Sequence, residues 1–166
     1  QFAMKLAYED NADLLRTWNC DQMSVKKGRP ACRFLPTTPS HIQVVENKGH
    51  QLRAVLVRDA RSDTTVLAFR GTVPTSTPNW QRNLDYGPIA VDGVNLHKGF
   101  SEGVDILLNE GILDYLRRHH GPASTLLVTG HSLGGAMASL AAHRLRKQQH
   151  VIGPMAMVSF AQPRAG

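Results

Sequence analysis

The stretch from Leu126 to Ala136 constrains the fold more than any other part of the sequence. A short apolar run leads into it, and a run of small residues and helix formers follows it. Between them, Gly130-His131-Ser132-Leu133-Gly134 forms a Gly-x-Ser-x-Gly motif. The motif predicts a strand, a sharp turn and a helix, with the serine hydroxyl held above the sheet. The alternative is a glycine-rich turn with an incidental serine, but motif and context together favour a nucleophile at Ser132.

The composition is that of a soluble globular protein. Hydrophobic residues make up 42% and charged residues 19% of the 166-residue chain, which is enough for a core and unlike a disordered chain. We therefore predict one domain over residues 1–166. No apolar run reaches the length of a membrane span, so no transmembrane segment is expected. The chain opens with Gln1 rather than Met and has no signal segment, which favours a processed or trimmed start.

A formal net charge of +6 is compatible with an anionic partner, such as a phospholipid surface or a nucleic acid. The basic residues are scattered, however, and no basic stripe with interleaved aromatic residues is present. We interpret the charge as a solvated basic surface and expect no nucleic-acid partner.

Two cysteines, Cys20 and Cys32, lie close together in the sequence and are its only cysteines. A disulfide closing this short loop would fit a secreted protein and add about 3 kcal/mol of stability. Two free thiols in a cytosolic protein are the alternative. No Cys-x-x-Cys or Cys/His ligand cluster is present, and His119-His120 is interpreted as a helix end rather than a metal site. No cofactor and no metal are expected.

Hydrophobic periodicity predicts a chain of alternating elements in the second half. An amphipathic helix is predicted over residues 2–18 and an irregular segment over residues 20–40. Three strands joined by tight turns come next. A strand with a turn at Asp92-Gly93 and a long helix follow them. The series ends with the strand before Ser132, the helix after it and a last strand. This last series is of the βαβ type, so the sheet there should be parallel with right-handed crossovers. The predicted bounds are 41–46, 51–59, 64–69, 88–96, 100–116, 125–129 and 155–160, with the helix after Ser132 reaching about residue 147.

Four motifs follow one another along the chain. They are Phe69-Arg70-Gly71-Thr72, His97-Lys98-Gly99-Phe100, Gly130-His131-Ser132-Leu133-Gly134-Gly135 and Gln162-Pro163-Arg164-Ala165-Gly166. In this order they resemble the motifs of the fungal-type or class 3 lipases, a family of the α/β-hydrolase fold that also holds feruloyl esterases. The resemblance implies a central, mostly parallel sheet flanked by helices, with an N-terminal helix and an antiparallel strand pair at the start.

The resemblance also implies a set of roles. Ser132 is the nucleophile, the amide of Leu133 is one oxyanion donor and Thr72 is the second. Residues 73–86 correspond to a lid, although Trp80 is equally well explained as an anchor of that loop. His97 is expected to be structural. The implied protein is a secreted triacylglycerol lipase whose partner is a lipid or ester, at an oil–water interface; a feruloyl or short-chain esterase is the near alternative.

The catalytic base and acid pose a problem. In this fold they follow the nucleophile, as an Asp or Glu and then a His. Residues 133–166 contain no Asp or Glu, and their only histidines are His143 and His150. A helix after Ser132 would carry His143 about 16 Å away along its axis. We therefore expect the acid and the base beyond Gly166. The alternative is a degenerate hydrolase fold that binds lipids or anionic surfaces without catalysis.

Overall fold

The computed structural model describes residues 7–8, 41–71, 87–91 and 94–163. Of the helix predicted over residues 2–18, Ala7 is helical and Tyr8 follows it in a turn. Several residues of the sequence-based predictions lie outside the described ranges: Cys20, Cys32, Thr72, the lid-like loop 73–86 and the last three residues. The predictions made for them remain predictions.

The described strands form a five-stranded mixed sheet. Its strands are β1 (His41–Asn47), β2 (Leu52–Asp59), β3 (Thr64–Phe69), β6 (Thr125–His131) and β7 (Met155–Phe160), and they lie side by side in that order. The first three form an antiparallel meander, while β3 pairs with β6 and β6 with β7 in parallel. The predicted strands and the predicted parallel arrangement of the βαβ series are confirmed.

A separate pair of strands precedes the helix that begins at Lys98. Its strands, β4 (Pro88–Val91) and β5 (Val94–His97), pair antiparallel. The sequence predicted one strand here with a turn at Asp92-Gly93. The structure shows two strands, one ending before and one beginning after these two residues.

The helix predicted over residues 100–116 is interrupted. It consists of α1 (Lys98–Leu107), a π-helical turn (Leu108–Ile112) and α2 (Leu113–His119). The wide turn brings the backbone of Gly111 against β1, where an added Cβ would lie 3.2 Å from Nε2 of Gln43 and 3.5 Å from Cγ2 of Val45. Apolar spacing alone gave no sign of the interruption, because the buried residues keep facing the sheet through it.

The helix after Ser132, α3 (Leu133–Lys147), packs against α1 and the sheet. Arg144 of α3 joins the two helices, because its guanidinium bonds to Oδ1 of Asp105 at 2.5 Å and to the carbonyl of Ser101 at 2.7 Å. The core between the helices and the sheet contains completely buried aliphatic side chains, among them Leu107, Ile112, Leu126, Val128 and Leu145. None of the helices in the described ranges is long and apolar enough to span a bilayer.

Candidate active site

Ser132 lies at the junction between β6 and α3, in a backbone conformation that L-amino acids rarely adopt. Its φ is 54° and its ψ is −130°. Such a conformation costs on the order of 1–3 kcal/mol and persists only where surrounding contacts impose it. The contacts here are backbone hydrogen bonds. The Ser132 amide donates to the carbonyl of Phe160 at 2.9 Å, and the Ser132 carbonyl accepts from the amide of Gly135 at 2.8 Å.

Two glycines allow α3 to fold back tightly on the sheet. A Cβ on Gly130 would collide with the backbone carbonyl of Gly134, and a Cβ on Gly134 would collide with the carbonyl oxygen of Phe69. The clashing atoms are backbone atoms, so a side-chain rearrangement would not relieve them. The tight crossing requires glycine at both positions of the motif.

Leu133 is the first residue of α3, and its side chain is 8% exposed. The first four amides of a helix have no acceptor within the helix, and the helix dipole gives this end a partial positive charge. The Ser132 hydroxyl makes no capping hydrogen bond to α3. Ser132 and the Leu133 amide therefore both lie at the N-terminal, positive end of the helix.

The end of β3 lies beside the same turn. Phe69 is in register with Gly130, and a Cβ on Gly71 would come within 2.5 Å of the carbonyl oxygen of His131. Arg70 ties this end to β2, since its amide donates to the carbonyl of Arg53 at 3.0 Å. The backbone that leads into Thr72 is thus packed against the Ser132 turn.

Tyr8 also reaches this site, and sequence reasoning missed it. Its ring lies in a T-shaped arrangement with the ring of His131, with the centroids 6.5 Å apart. Its hydroxyl lies against Gly71. Burial raises the pKa of Tyr8, which a backbone hydrogen bond from Gly71 and the charge of Arg70 only partly offset. A single tyrosine in a predicted amphipathic helix carried no signal for this contact.

The segment after β7 runs beside α3. Ser139 of α3 donates a hydrogen bond to Oε1 of Gln162 at 2.8 Å, and a Cβ on Gly135 would lie 2.8 Å from Cβ of Gln162. Ala161 adopts a φ of 47° at the end of β7. The described part of the fourth motif, Gln162-Pro163, is therefore held against the helix that begins at Leu133.

Apart from His131, the histidines make their contacts with other parts of the chain. His143 is an exposed residue of α3, and His150 contacts Oε1 of Gln148 at 3.2 Å. His97 precedes α1 and its ring contacts that of Phe100, with centroids 5.3 Å apart.

The ring of His119, the last residue of α2, stacks on that of His41 with the centroids 4.5 Å apart. The amide of the next residue, His120, donates to the carbonyl of Leu116 at 2.9 Å. In the ranges that the structure describes, no three His, Cys, Asp or Glu side chains are arranged to hold a metal ion.

The sequence matches the family model for "Lipase (class 3)" over residues 66–166, a range that includes β3, the Ser132 turn and β7. The chain belongs to the class 3 lipase family. It therefore has the α/β-hydrolase fold, and the resemblance inferred from the four motifs is confirmed.

Two related lipases agree with this assignment. The chain is 31% identical to a lipase of Rhizomucor miehei over 125 residues, which is 70% of this chain and 33% of that protein. It is 31% identical to secreted mono- and diacylglycerol lipase 1 of Fusarium solani over 117 residues, or 68% of this chain and 34% of that protein. The chain thus spans about a third of the length of these relatives.

A solved structure shows the same fold over nearly the whole chain. The lipase from Rhizopus microsporus var. chinensis superposes with a TM-score of 0.71 at 21% identity, and the match covers 99% of this chain and 56% of that chain.

Proposed function

We propose that residues 1–166 are the N-terminal portion of the α/β-hydrolase domain of a serine carboxylic-ester hydrolase, in which Ser132 is the nucleophile. The observation that carries this proposal is the backbone of Ser132, held at a φ of 54° between β6 and the N-terminus of α3. Strained backbone conformations of this kind cluster at active sites. Here it presents the serine hydroxyl beside a helix end that favours negative charge.

In the proposed reaction, the Ser132 oxygen attacks the carbonyl carbon of an ester and its proton passes to a base. The carbonyl oxygen becomes an oxyanion, which the amide of Leu133 and the second donor, Thr72, stabilise with hydrogen bonds. The intermediate collapses to an acyl-enzyme as the alcohol leaves with a proton. Water then attacks the acyl carbonyl, and the free acid and Ser132 are regenerated.

We propose that the base and its acid are a His and an Asp located outside residues 1–166. His143 and His150 are unsuited to the role, because α3 carries them away from the serine. At about 1.5 Å per residue, a position eleven residues further along the helix lies roughly 16 Å away.

For the substrate, we propose acylglycerol esters at an oil–water interface, cleaved by a secreted protein with residues 73–86 as its lid. The support is that relatives of this chain are a lipase and a secreted mono- and diacylglycerol lipase. The predicted Cys20–Cys32 disulfide, which would form in an oxidising compartment, would agree with secretion.

The decisive experiment is labelling of the full-length protein with a fluorophosphonate probe, followed by intact-mass detection and peptide mapping. We expect one adduct, on Ser132, and none in Ser132→Ala. Ser62→Ala is the control, because Ser62 lies in the β2–β3 turn where its hydroxyl bonds to Asp59. An unlabelled wild-type protein that still binds lipid vesicles would identify a non-catalytic binding protein instead.

Chain-length profiles on p-nitrophenyl esters, with and without an emulsion, then test the substrate class. A lipase should gain activity with long acyl chains at the interface. A profile confined to short acyl chains or to feruloyl esters, indifferent to the emulsion, would replace the lipase with an esterase.

A further inference from the structure

A row of polar side chains crosses the sheet at the end opposite Ser132. His41 of β1 pairs with Arg58 of β2, which pairs in turn with Thr65 of β3. Residues directly opposite each other in neighbouring strands point to the same face of the sheet. Thr65 is in register with Leu126, six residues before Ser132, which corresponds to about 20 Å of extended strand. The row is therefore separate from the candidate active site.

The end of α2 covers this row. The ring of Tyr115 has its centroid 5.3 Å from that of His41, and the ring of His119 stacks on His41 at 4.5 Å. Tyr115 is completely buried by this packing. The first side chain of the row is thus in direct contact with two aromatic rings of α2.

The loop that begins at His120 is fastened to the same row. The hydroxyl of Ser124 accepts a hydrogen bond from the amide of Gly121 at 3.1 Å and donates to Oδ1 of Asp63 at 2.8 Å. The same carboxylate oxygen binds Nη2 of Arg58 at 2.5 Å. Burial lowers the pKa of His120, and the charges of Arg58 and Asp63 act on it in opposite directions. The ring of His120 therefore lies near this ion pair.

Three side chains at this place carry buried polar atoms that lack a hydrogen-bond partner within the described part of the chain. They are Oγ1 of Thr65, the hydroxyl of Tyr115 and both ring nitrogens of His120. Thr65 and Tyr115 are each 0% exposed. Buried polar atoms in folded proteins nearly always have a partner, and an exception calls for a bound water or ion. Three exceptions in one cluster indicate a bound group that they share.

The chemistry of these atoms indicates which group they bind. The hydroxyls of Thr65 and Tyr115 can donate hydrogen bonds, and burial raises the pKa of Tyr115 to about 12, so that it stays protonated. A neutral His120 ring donates from one nitrogen. Arg58 adds a full positive charge, whereas the carboxylate of Asp63 already accepts two hydrogen bonds. Donors beside a guanidinium suit an anion, because hydrogen bonds to a charged acceptor are the strong ones.

We propose that Arg58, Thr65, Tyr115 and His120 form a binding site for a small inorganic anion under the end of α2. The two hydroxyls and one N–H of His120 donate to the anion, and the guanidinium balances its charge. The anion joins α2 to β2 and β3. Since the site lies at the other end of the sheet from Ser132, the inference does not depend on ester hydrolysis. Buried water is the competing occupant, because water also satisfies hydroxyl groups.

The test compares the Tm of the full-length protein in sodium phosphate, sodium chloride and sodium gluconate at neutral pH and equal ionic strength. A ligand that binds only the folded protein raises Tm with its concentration. We expect a saturable rise with phosphate or chloride, of about 3–5 °C at a concentration about ten times Kd. Gluconate, which is too bulky for a buried site, should give no such rise.

Thr65→Val and Tyr115→Phe each remove one donor and keep the shape of the side chain, so each should lose most of the anion-dependent rise. In gluconate, Thr65→Val should be at least as stable as the wild type, because it removes an unpaired buried hydroxyl. Thr64→Val is the matched control. Thr64 is the neighbouring residue of β3 and points to the opposite face, and its hydroxyl bonds to the carbonyl of Ser62 at 3.1 Å. It should keep the full rise.

Each outcome supports or overturns the site. Equal Tm values in all three salts would overturn it and assign the buried hydroxyls to water. A rise that persists undiminished in both Thr65→Val and Tyr115→Phe would place the anion elsewhere on the protein and would also overturn it. If Thr65→Val does not fold, Tyr115→Phe decides alone, since the loss or retention of the rise in that variant gives the same distinction.

Discussion

The backbone amide of Ser132 donates a 2.9 Å hydrogen bond to the carbonyl oxygen of Phe160, which joins the Ser132 turn to the neighbouring strand β7. Phe160 is in register with His131. The strained backbone of Ser132 is therefore secured by residues that are distant in the sequence, and the strain can be measured by relieving it.

Ser132→Gly should stabilise the protein by about 1 kcal/mol, because glycine adopts a positive φ without the steric cost. Ser132→Ala retains Cβ and hence the strain, so its free energy of unfolding should stay near that of the wild type. Both variants should lose ester hydrolysis. Chemical denaturation and an esterase assay test the pair; equal stability of the two variants would argue against stored strain at this residue.

Gly134→Ala should destabilise the protein by about 3 kcal/mol or more, since a methyl group there collides with the backbone of the adjoining β3 strand. Gly49→Ala is the control. A Cβ on Gly49 would meet only Oδ1 of Asn47, at an ordinary 3.5 Å. Thermal unfolding of both variants should separate them clearly. A Gly134→Ala protein as stable as Gly49→Ala would show that the turn can open.

Ala161→Gly should raise the free energy of unfolding by about 0.5–1 kcal/mol, because Ala161 has a φ of 47°. Ala156→Gly gives the opposite result at a nearby position. Ala156 is exposed in the extended strand β7, where glycine costs about 0.5–1 kcal/mol. Opposite signs in urea denaturation are expected. Destabilisation by both substitutions would contradict a strained Ala161.

Acidification should destabilise the end of α2. Burial, followed by the charges of His41, Arg118 and Arg58, lowers the pKa of His119 in the folded protein. The unfolded chain then binds more protons than the folded chain, so stability falls as the pH drops through about 6.5, the ordinary histidine pKa, toward the lower folded value.

His119→Phe tests this expectation, because it keeps an aromatic ring beside His41 and Tyr115 without a titrating group. The measurement is Tm as a function of pH from 8 to 5. Wild type should lose more stability than His119→Phe over this interval. Burial and the charge of Arg58 also lower the pKa of His120, whereas Asp63 raises it, so part of the acid sensitivity should remain in the variant. Parallel pH curves would exclude a role for His119.

Local patterns were sufficient for most of the secondary structure. The predicted strand 64–69 matches β3 in full, and 155–160 matches β7, since each is a short apolar run with turn residues on both sides. The long helix was predicted without its π-helical turn. The close approach of Gly111 to β1 is set by packing between elements, and apolar spacing carries no information about it.

The sequence by itself determined the family, the Gly-x-Ser-x-Gly motif and the order of elements, because each depends on residues that are neighbours in the chain. Tertiary structure decided what surrounds Ser132: the carbonyl of Phe160, the backbone of Gly71 and the ring of Tyr8. These groups come from separate parts of the chain. Strand pairing brings the first two to the same end of the sheet, where β3 and β7 both finish. Their convergence depends on packing and hydrogen-bond geometry, which a linear pattern does not encode.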